Sequence, residues 1–200
     1  MSGATVEPKT GLRAMTRASV RDQIADRALL LFDQNGFDET TIDDIALAVG
    51  ISSRSFFRYF PAKEDVVLND PTPFGEIVRD TAAARPANEP VWAVLRRAFD
   101  PLHATTVVDV TRGLRIMRIM MSTASLRARN LEKHITWAAM LEPVIAARLS
   151  GSDESRRFRA QILIHSALAC LDVALAEWTR RDGSTDVATL LDEAFEIPNS

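Results

Sequence analysis

The chain has 200 residues, 46% of them apolar, a formal charge of −3 and one cysteine. That is enough to bury a core in one large or two small domains, while so weak a net charge argues against non-specific polyanion binding as the main activity. The lone Cys170 excludes an internal disulfide, and with no run of eighteen uncharged apolar residues and no apolar stretch behind the N-terminal charges the expectation is a cytoplasmic protein without a membrane partner.

Residues 1–15 hold Gly, Pro, Ser and Thr without periodicity and read as a flexible tail. From Thr16 onward, Val20, Ile24, Ala28 and Leu31 recur at steps of three and four, which predicts an amphipathic helix stopped by Asn35-Gly36. "TTIDDIALAVG" predicts a second, short helix with Thr41 as N-cap, Asp43 and Asp44 in its first turn and Gly50 as its break. Ser52 caps a third helix two residues later. On it Phe56 and Phe60 face inward with Ile45 and Val49, while Ser53, Arg54, Phe57 and Arg58 face outward. Two helices joined through Gly50-Ile51-Ser52 fit a helix-turn-helix, whose second helix enters the major groove. The charge distribution agrees with a local basic face. Lys9 to Arg21 carries four cations and no acid, Gly50 to Lys63 three cations and no acid, and the stretch from Asp182 onward only acids.

"NDPTPFG" and "ARPANEP" then interrupt the pattern. Beyond them the apolar spacing predicts helices over 91–103, 111–122, 126–149, 153–181 and 185–195, and no strand. Val107, Val108 and Val110 form the one β-branched cluster, too short for a sheet. The fold class is all-α.

"FDETTIDDIALAVGISSRSFFRYFPAKEDVV" resembles the N-terminal domain of TetR-family transcriptional regulators, whose signature runs Gly-Phe-x-x-Thr-Thr-x-x-x-Ile-Ala, Gly-Val-Ser and Leu-Tyr-x-Tyr/His-Phe-x-x-Lys. The resemblance implies a three-helix DNA-binding domain over 16–66, followed by a larger helical ligand-binding and dimerisation domain over 67–200. It further implies phosphate contacts from Thr41, Ser52, Tyr59 and Lys63, and base-edge contacts from Ser53, Arg54, Ser55 and Arg58. Arg54 suits a guanine O6/N7 edge bidentately, and Lys63 is a point charge suited to phosphate. Phe57 stands where the family usually has tyrosine, so its ring packs on sugar or a thymine methyl instead of bonding phosphate through a hydroxyl.

A single helix-turn-helix contacts too little DNA for specific affinity, which leads to a homodimer on a palindromic operator. "AQILIHSALACLDVALAEW" is apolar nearly all round and must be covered on two sides, one by its own domain and one by a partner copy. The candidate interface residues are Ile164, Ala167, Leu168, Leu171, Leu175 and Trp178, with His165 a satisfied buried histidine. The family resemblance implies a four-helix dimer bundle from the last two helices.

Met117, Met120 and Met121, with Trp92, Phe99, Trp137 and Met140 on flanking helices, are candidates to line an adaptable apolar cavity, although core packing accounts for each of them singly. Arg115, in a stripe with Arg112 and Arg118, is a candidate for an anionic head group. "MSTASLRARNLEKHITWAAML" and "LLDEAFE" resemble the C-terminal domain of the actinobacterial branch grouped with the mycofactocin regulator, which implies an acyl-CoA-like ligand. No hydrolase, zinc-protease, P-loop or Cys-x-x-Cys motif is present, so no catalytic residue, metal or cofactor is expected. The resulting expectation is a sequence-specific regulator, a repressor released by a small effector such as a long-chain acyl-CoA. A constitutive DNA-binding regulator and a helical enzyme stay open as alternatives.

Overall fold

The computed structural model describes residues 10–68, 70–102 and 109–196. Residues 1–9 of the tail expected over residues 1–15, together with His103, Val107 and Val108, lie outside the described residues. Among those described, all regular structure is helical, and the chain divides into two compact units between Val67 and Leu68.

In the first unit, α1 (Thr10–Asn35) buries Ile24, Ala25, Ala28, Leu29 and Phe32 and ends at Gly36, whose φ of 90° only glycine adopts without strain. It starts six residues before the expected Thr16. Leu12, Arg13, Ala14 and Met15 are strong helix formers, and propensity extends a helix where no apolar period marks it. α2 (Ile42–Val49) is opened by a capping box between Thr41 and Asp44 and closed by Gly50. α3 (Ser53–Phe56) is capped by Ser52, and a 3₁₀ turn (Lys63–Val66) follows, its first amide chain satisfied by Asp65 Oδ2 accepting from the Ala62 N–H at 2.9 Å. Ile45, Ala46, Phe56 and Phe60 close the core, each at most 2% exposed.

The second unit opens where the sequence pattern predicted an interruption. α4 (Pro71–Ala83) places Pro71 and Pro73 in its first turn, where the missing N–H groups have no intrahelical partner to lose. Asp70 caps it by accepting the Thr72 N–H at 2.9 Å. Gly75 is there for proximity: a Cβ on it would stand 2.7 Å from Trp137 Cδ1 and 2.8 Å from Met140 Sδ. α5 (Val91–Ala98), α6 (Val110–Ser122), α7 (Ala124–Ala146), α8 (Asp153–Arg180) and α9 (Val187–Glu196) follow. Only Thr123 separates α6 from α7, its extended backbone turning the chain and its hydroxyl accepting the Leu126 N–H.

α8 is the axis of this unit, packing against α5, α6, α7 and α9. By length and composition it could cross a membrane, with a mean hydropathy of 1.4 over its most apolar window. In this fold it is a core helix whose Ile164, Leu168, Leu171 and Trp178 are at most 2% exposed, each fully buried side chain contributing about 1.5–3 kcal/mol. Two buried-end arginines tie the layers. Arg96, 6% exposed, donates to Asp100, Asp192 and the Ala188 carbonyl, joining α5 to α9. Arg148 donates to the carbonyls of Ala82, Arg85 and Pro86, satisfying acceptors at the end of α4.

Candidate DNA-contacting surface and ligand cavity

Gly50, in the left-handed region at φ 77°, reverses the chain while its N–H bonds the Ala46 and Leu47 carbonyls, and the Ile51 N–H bonds Ala46 at 2.9 Å. That turn delivers Ser52 in an extended conformation to the start of α3. Its Oγ accepts the Ser55 N–H at 3.2 Å and shares a hydrogen bond with Ser55 Oγ at 3.0 Å. Arg54 is exposed and makes no hydrogen bond or ion pair with a described residue. Arg58 is exposed as well, its guanidinium 5.9 Å from the centre of the half-buried Tyr59 ring. Phe57 is 52% exposed and Leu47, on α2, 83% exposed, whereas Phe56 and Phe60 are fully buried. The surface therefore offers two cations, several hydroxyls and two apolar groups, a set suited to phosphate, base edges and thymine methyls.

Three expected contacts are more constrained than the sequence suggests. The Thr41 hydroxyl accepts the Asp44 N–H at 3.1 Å and donates to Asp44 Oδ2 at 2.6 Å, while Asp44 also takes the Thr41 N–H at 2.9 Å. Those bonds hold the Asp44 carboxyl below its usual range. The Ser53 hydroxyl donates to Asp43 Oδ1, leaving it only as an acceptor. Lys63 is not the free point charge expected: Nζ donates to the carbonyls of Phe37 at 2.7 Å and Thr40 at 2.9 Å and lies 4.3 Å from the Phe37 ring centre. It fastens the loop between α1 and α2 and keeps at most one N–H for a phosphate. Sequence reasoning missed the supports. Thr40, 1% exposed, donates to the Gly36 carbonyl at 2.7 Å, and Arg17 donates to the Arg58 carbonyl at 3.0 Å. The Thr-Thr pair was the only signal for the first; the second spans 41 residues and leaves none in the pattern.

In the second unit, α6, α7 and α8 border a solvent-open cavity of about 310 Å³ lined by Met117, Met120, Met121, Arg127, Asn130, Leu131, His134 and Asp172. Met121 and Leu131, 37% and 60% exposed, form its rim. Asn130 Nδ2 donates to Asp172 Oδ1 at 3.3 Å, and His134 Nε2 lies 3.5 Å from the same oxygen without bonding it. Asn130 Oδ1 and His134 Nε2 are both buried without a hydrogen-bond partner. Burial lowers the His134 pKa against the pull of Asp172, with Lys133 and His165 adding to the lowering, so the ring is neutral at neutral pH. Arg127 Nη1 is occupied by the Met121 carbonyl at 2.8 Å.

The three expected methionines line this cavity; the other five expected ligand residues do not. Trp92 donates its indole N–H to the Phe195 carbonyl at 2.8 Å and packs on that ring, and Phe99 is fully buried against the same side chain. Trp137 donates to the Pro71 carbonyl at 2.9 Å and stacks on Phe74, while Met140 lies against Gly75. Arg115 is half-buried, engaged elsewhere and outside the lining. For Trp137 and Met140 the cause is α4: with its prolines read as a break, the helix that covers them was missing from the sequence picture.

The expected dimer residues lie mainly in the core of their own unit. Ile164, Ala167, Leu168, Leu171 and Trp178 are at most 2% exposed inside their own unit, and Leu175 packs half-buried on the same core. Side chains consumed by their own core cannot meet a partner. The opposite face of α8 carries Phe158, Ile162 and Val173, 64%, 50% and 66% exposed, with His165 exposed among them rather than buried. On the adjoining α7, Leu131 and Ile135 are 60% and 59% exposed.

Residues 24–69 match the family model described as "Bacterial regulatory proteins, tetR family", and residues 89–198 match the one described as "MftR C-terminal domain". The chain is 32% identical over 192 residues to the HTH-type transcriptional regulator TcmR of Streptomyces glaucescens, covering 93% of this chain and 84% of that protein. Among solved structures it is similar to the transcriptional regulator FadR from Bacillus subtilis in complex with stearoyl-CoA, with a TM-score of 0.59 and 18% identity over 88% of this chain and 95% of that one. The Thermus thermophilus FadR, a TetR-family transcriptional repressor in complex with lauroyl-CoA, matches with a TM-score of 0.53 and 25% identity over 88% of this chain and 92% of that one. The families and relatives are transcriptional regulators, not enzymes.

Proposed function

Because this chain belongs to the TetR family of bacterial transcriptional regulators, we propose that it is a homodimeric repressor that binds a palindromic operator through α3 and releases it when a small molecule fills the cavity between α6, α7 and α8. The observation that carries the DNA-binding part is the surface behind the Gly50 turn, where Arg54, Phe57 and Arg58 stand outward on a fully buried Phe56–Phe60 base. Ser52, Ser53, Ser55 and Tyr59 complete the contact set, with Thr41 and Lys63 chiefly positioning the two helices. As a DNA-binding regulator the protein acts in the cytoplasm.

Five of the ten large apolar side chains exposed among the described residues belong to the stripes on α7 and α8, which supports a partner copy covering that face. Leu131 belongs both to that stripe and to the cavity rim, so an occupied cavity is felt at the dimer face. The two copies of α3 must reach successive major grooves, about 34–36 Å apart, and a change in that separation lowers affinity. An acyl-CoA effector draws support from the lauroyl-CoA complex of Thermus thermophilus FadR; the lining of the cavity itself points to a smaller polar end.

The test is fluorescence anisotropy of the full chain on the DNA upstream of its own gene and on scrambled DNA, with stoichiometry. Two chains per site, with selectivity lost in Arg54→Ala, support the reading. One chain per site with equal affinity for both DNAs contradicts it.

A further inference from the structure

The cavity between α6, α7 and α8 has a greasy end and a polar end. Three thioethers and Leu131 supply the first; Asn130, His134 and Asp172 supply the second. The polar end contains two buried atoms with unmet hydrogen-bonding capacity, Asn130 Oδ1 and His134 Nε2, and His134 is only 6% exposed. Their chemistry is restricted. The carboxylate of Asp172 takes the Asn130 Nδ2 hydrogen, which fixes the amide so that Oδ1, an acceptor only, is the atom left over. The same carboxylate, 3.5 Å from His134 Nε2, favours the tautomer that carries its proton on that nitrogen.

One hydroxyl meets both requirements, donating to Asn130 Oδ1 and accepting from His134 Nε2–H. A carboxylate or phosphate would set negative charge against the Asp172 carboxylate and the Asn130 oxygen. An ammonium could donate to Asn130 Oδ1 beside the Asp172 carboxylate, but it has no lone pair to accept from His134 Nε2–H and would leave that group unpaired. At about 310 Å³ the cavity also sits at the lower end of the roughly 300–1,000 Å³ typical of small-molecule sites.

We propose that this cavity is a site for a compact, uncharged, apolar compound bearing a hydroxyl, whose proton goes to Asn130 Oδ1 and whose oxygen accepts from His134 Nε2, with Met117, Met120 and Met121 packed around the apolar body. The proposal rests on the reading of the second unit as the effector domain and names the chemical class that unit senses. Leaving the two buried groups unpaired is what discriminates against an analogue without the hydroxyl.

The experiment is calorimetric titration of the full-length protein with 2-naphthol, naphthalene, 2-naphthoate and lauroyl-CoA, repeated on Asn130→Leu and His134→Gln. The expected result is 2-naphthol bound at least about tenfold more tightly than naphthalene or 2-naphthoate. That preference disappears in Asn130→Leu and is kept in part by His134→Gln, whose amide can still donate. Equal affinity for 2-naphthol and naphthalene, a preference for lauroyl-CoA that Asn130→Leu leaves intact, or binding of none of the four probes overturns the proposal. Operator selectivity measured on the same samples separates the two levels. If it persists while the hydroxyl preference is absent, the regulator stands and the effector class falls; if it too is absent, the regulator reading fails with it.

Discussion

Arg54 and Lys63 are both cations of the helix-turn-helix unit, and their surroundings predict opposite consequences of removing them. Arg54 is exposed and supports nothing in its own unit, so Arg54→Ala leaves thermal unfolding unchanged and costs about 1–3 kcal/mol at one base pair of the operator. Anisotropy on single-base operator variants reads this directly, and a uniform loss on every sequence would assign Arg54 to the phosphate backbone instead. Lys63→Met strips donors from two carbonyls and lowers stability by about 1–2 kcal/mol in the absence of DNA, seen as a lower Tm. The caps at Thr41 and Ser52 were legible because a cap is a local event, written within four residues. The role of Lys63 was not, since its partners are main-chain carbonyls 23 and 26 residues upstream. A third residue carries a pH signature. Burial lowers the Lys133 ammonium to about 8 from an ordinary 10.5, opposed by Asp172. Between those values the unfolded chain binds more protons than the folded one, so this residue's contribution to stability rises with pH across the window. Lys133→Met flattens that rise in urea unfolding and adds on the order of 1 kcal/mol at neutral pH.

At the scale of elements, α4 is the piece on which the sequence reading of the second unit turned. Pro71, Pro73 and Gly75 carry the composition of a loop, yet two prolines in a first turn and a glycine under an indole ring are what this helix requires. A Cβ at Gly75 would press on the ring of Trp137, which is 3% exposed and fixed by its bond to the Pro71 carbonyl. Gly75→Ala is therefore expected to destabilise the protein by about 1–3 kcal/mol, in spite of alanine's better helix propensity. A Tm at or above that of the wild type would show that α4 and α7 can move apart without cost. The longer helices of the second unit were legible almost to their ends because each repeats its apolar spacing for three turns or more. Which of two neighbours a face meets was not legible, and this is why Trp137 and Met140 were assigned to a cavity they do not line.

For the whole molecule, the same ambiguity governs assembly. α8 is apolar on nearly every side, and its sequence showed that two surfaces had to be covered without showing which residues served which. The fold settles the inner set as Ile164, Ala167, Leu168, Leu171 and Trp178 and leaves Phe158, Ile162 and Val173 outside. Joint replacement Ile162→Asp and Val173→Asp is expected to yield a folded monomer by light scattering with operator affinity lowered by at least about a hundredfold, since a lone half-site contact forgoes its partner's. Leu168→Asp, by contrast, places a charge in the core and unfolds the unit. In the function proposed for this protein the first unit reads DNA sequence and two copies do so together. Selection by the full chain from a pool of random duplex DNA tests it most directly. The expected result is enrichment of one two-fold symmetric motif whose half-sites are separated by about one helical turn or a multiple of it, and no such motif with Arg54→Ala and the α8 double variant combined. A pool that leaves successive rounds with the sequence composition it entered with would contradict it.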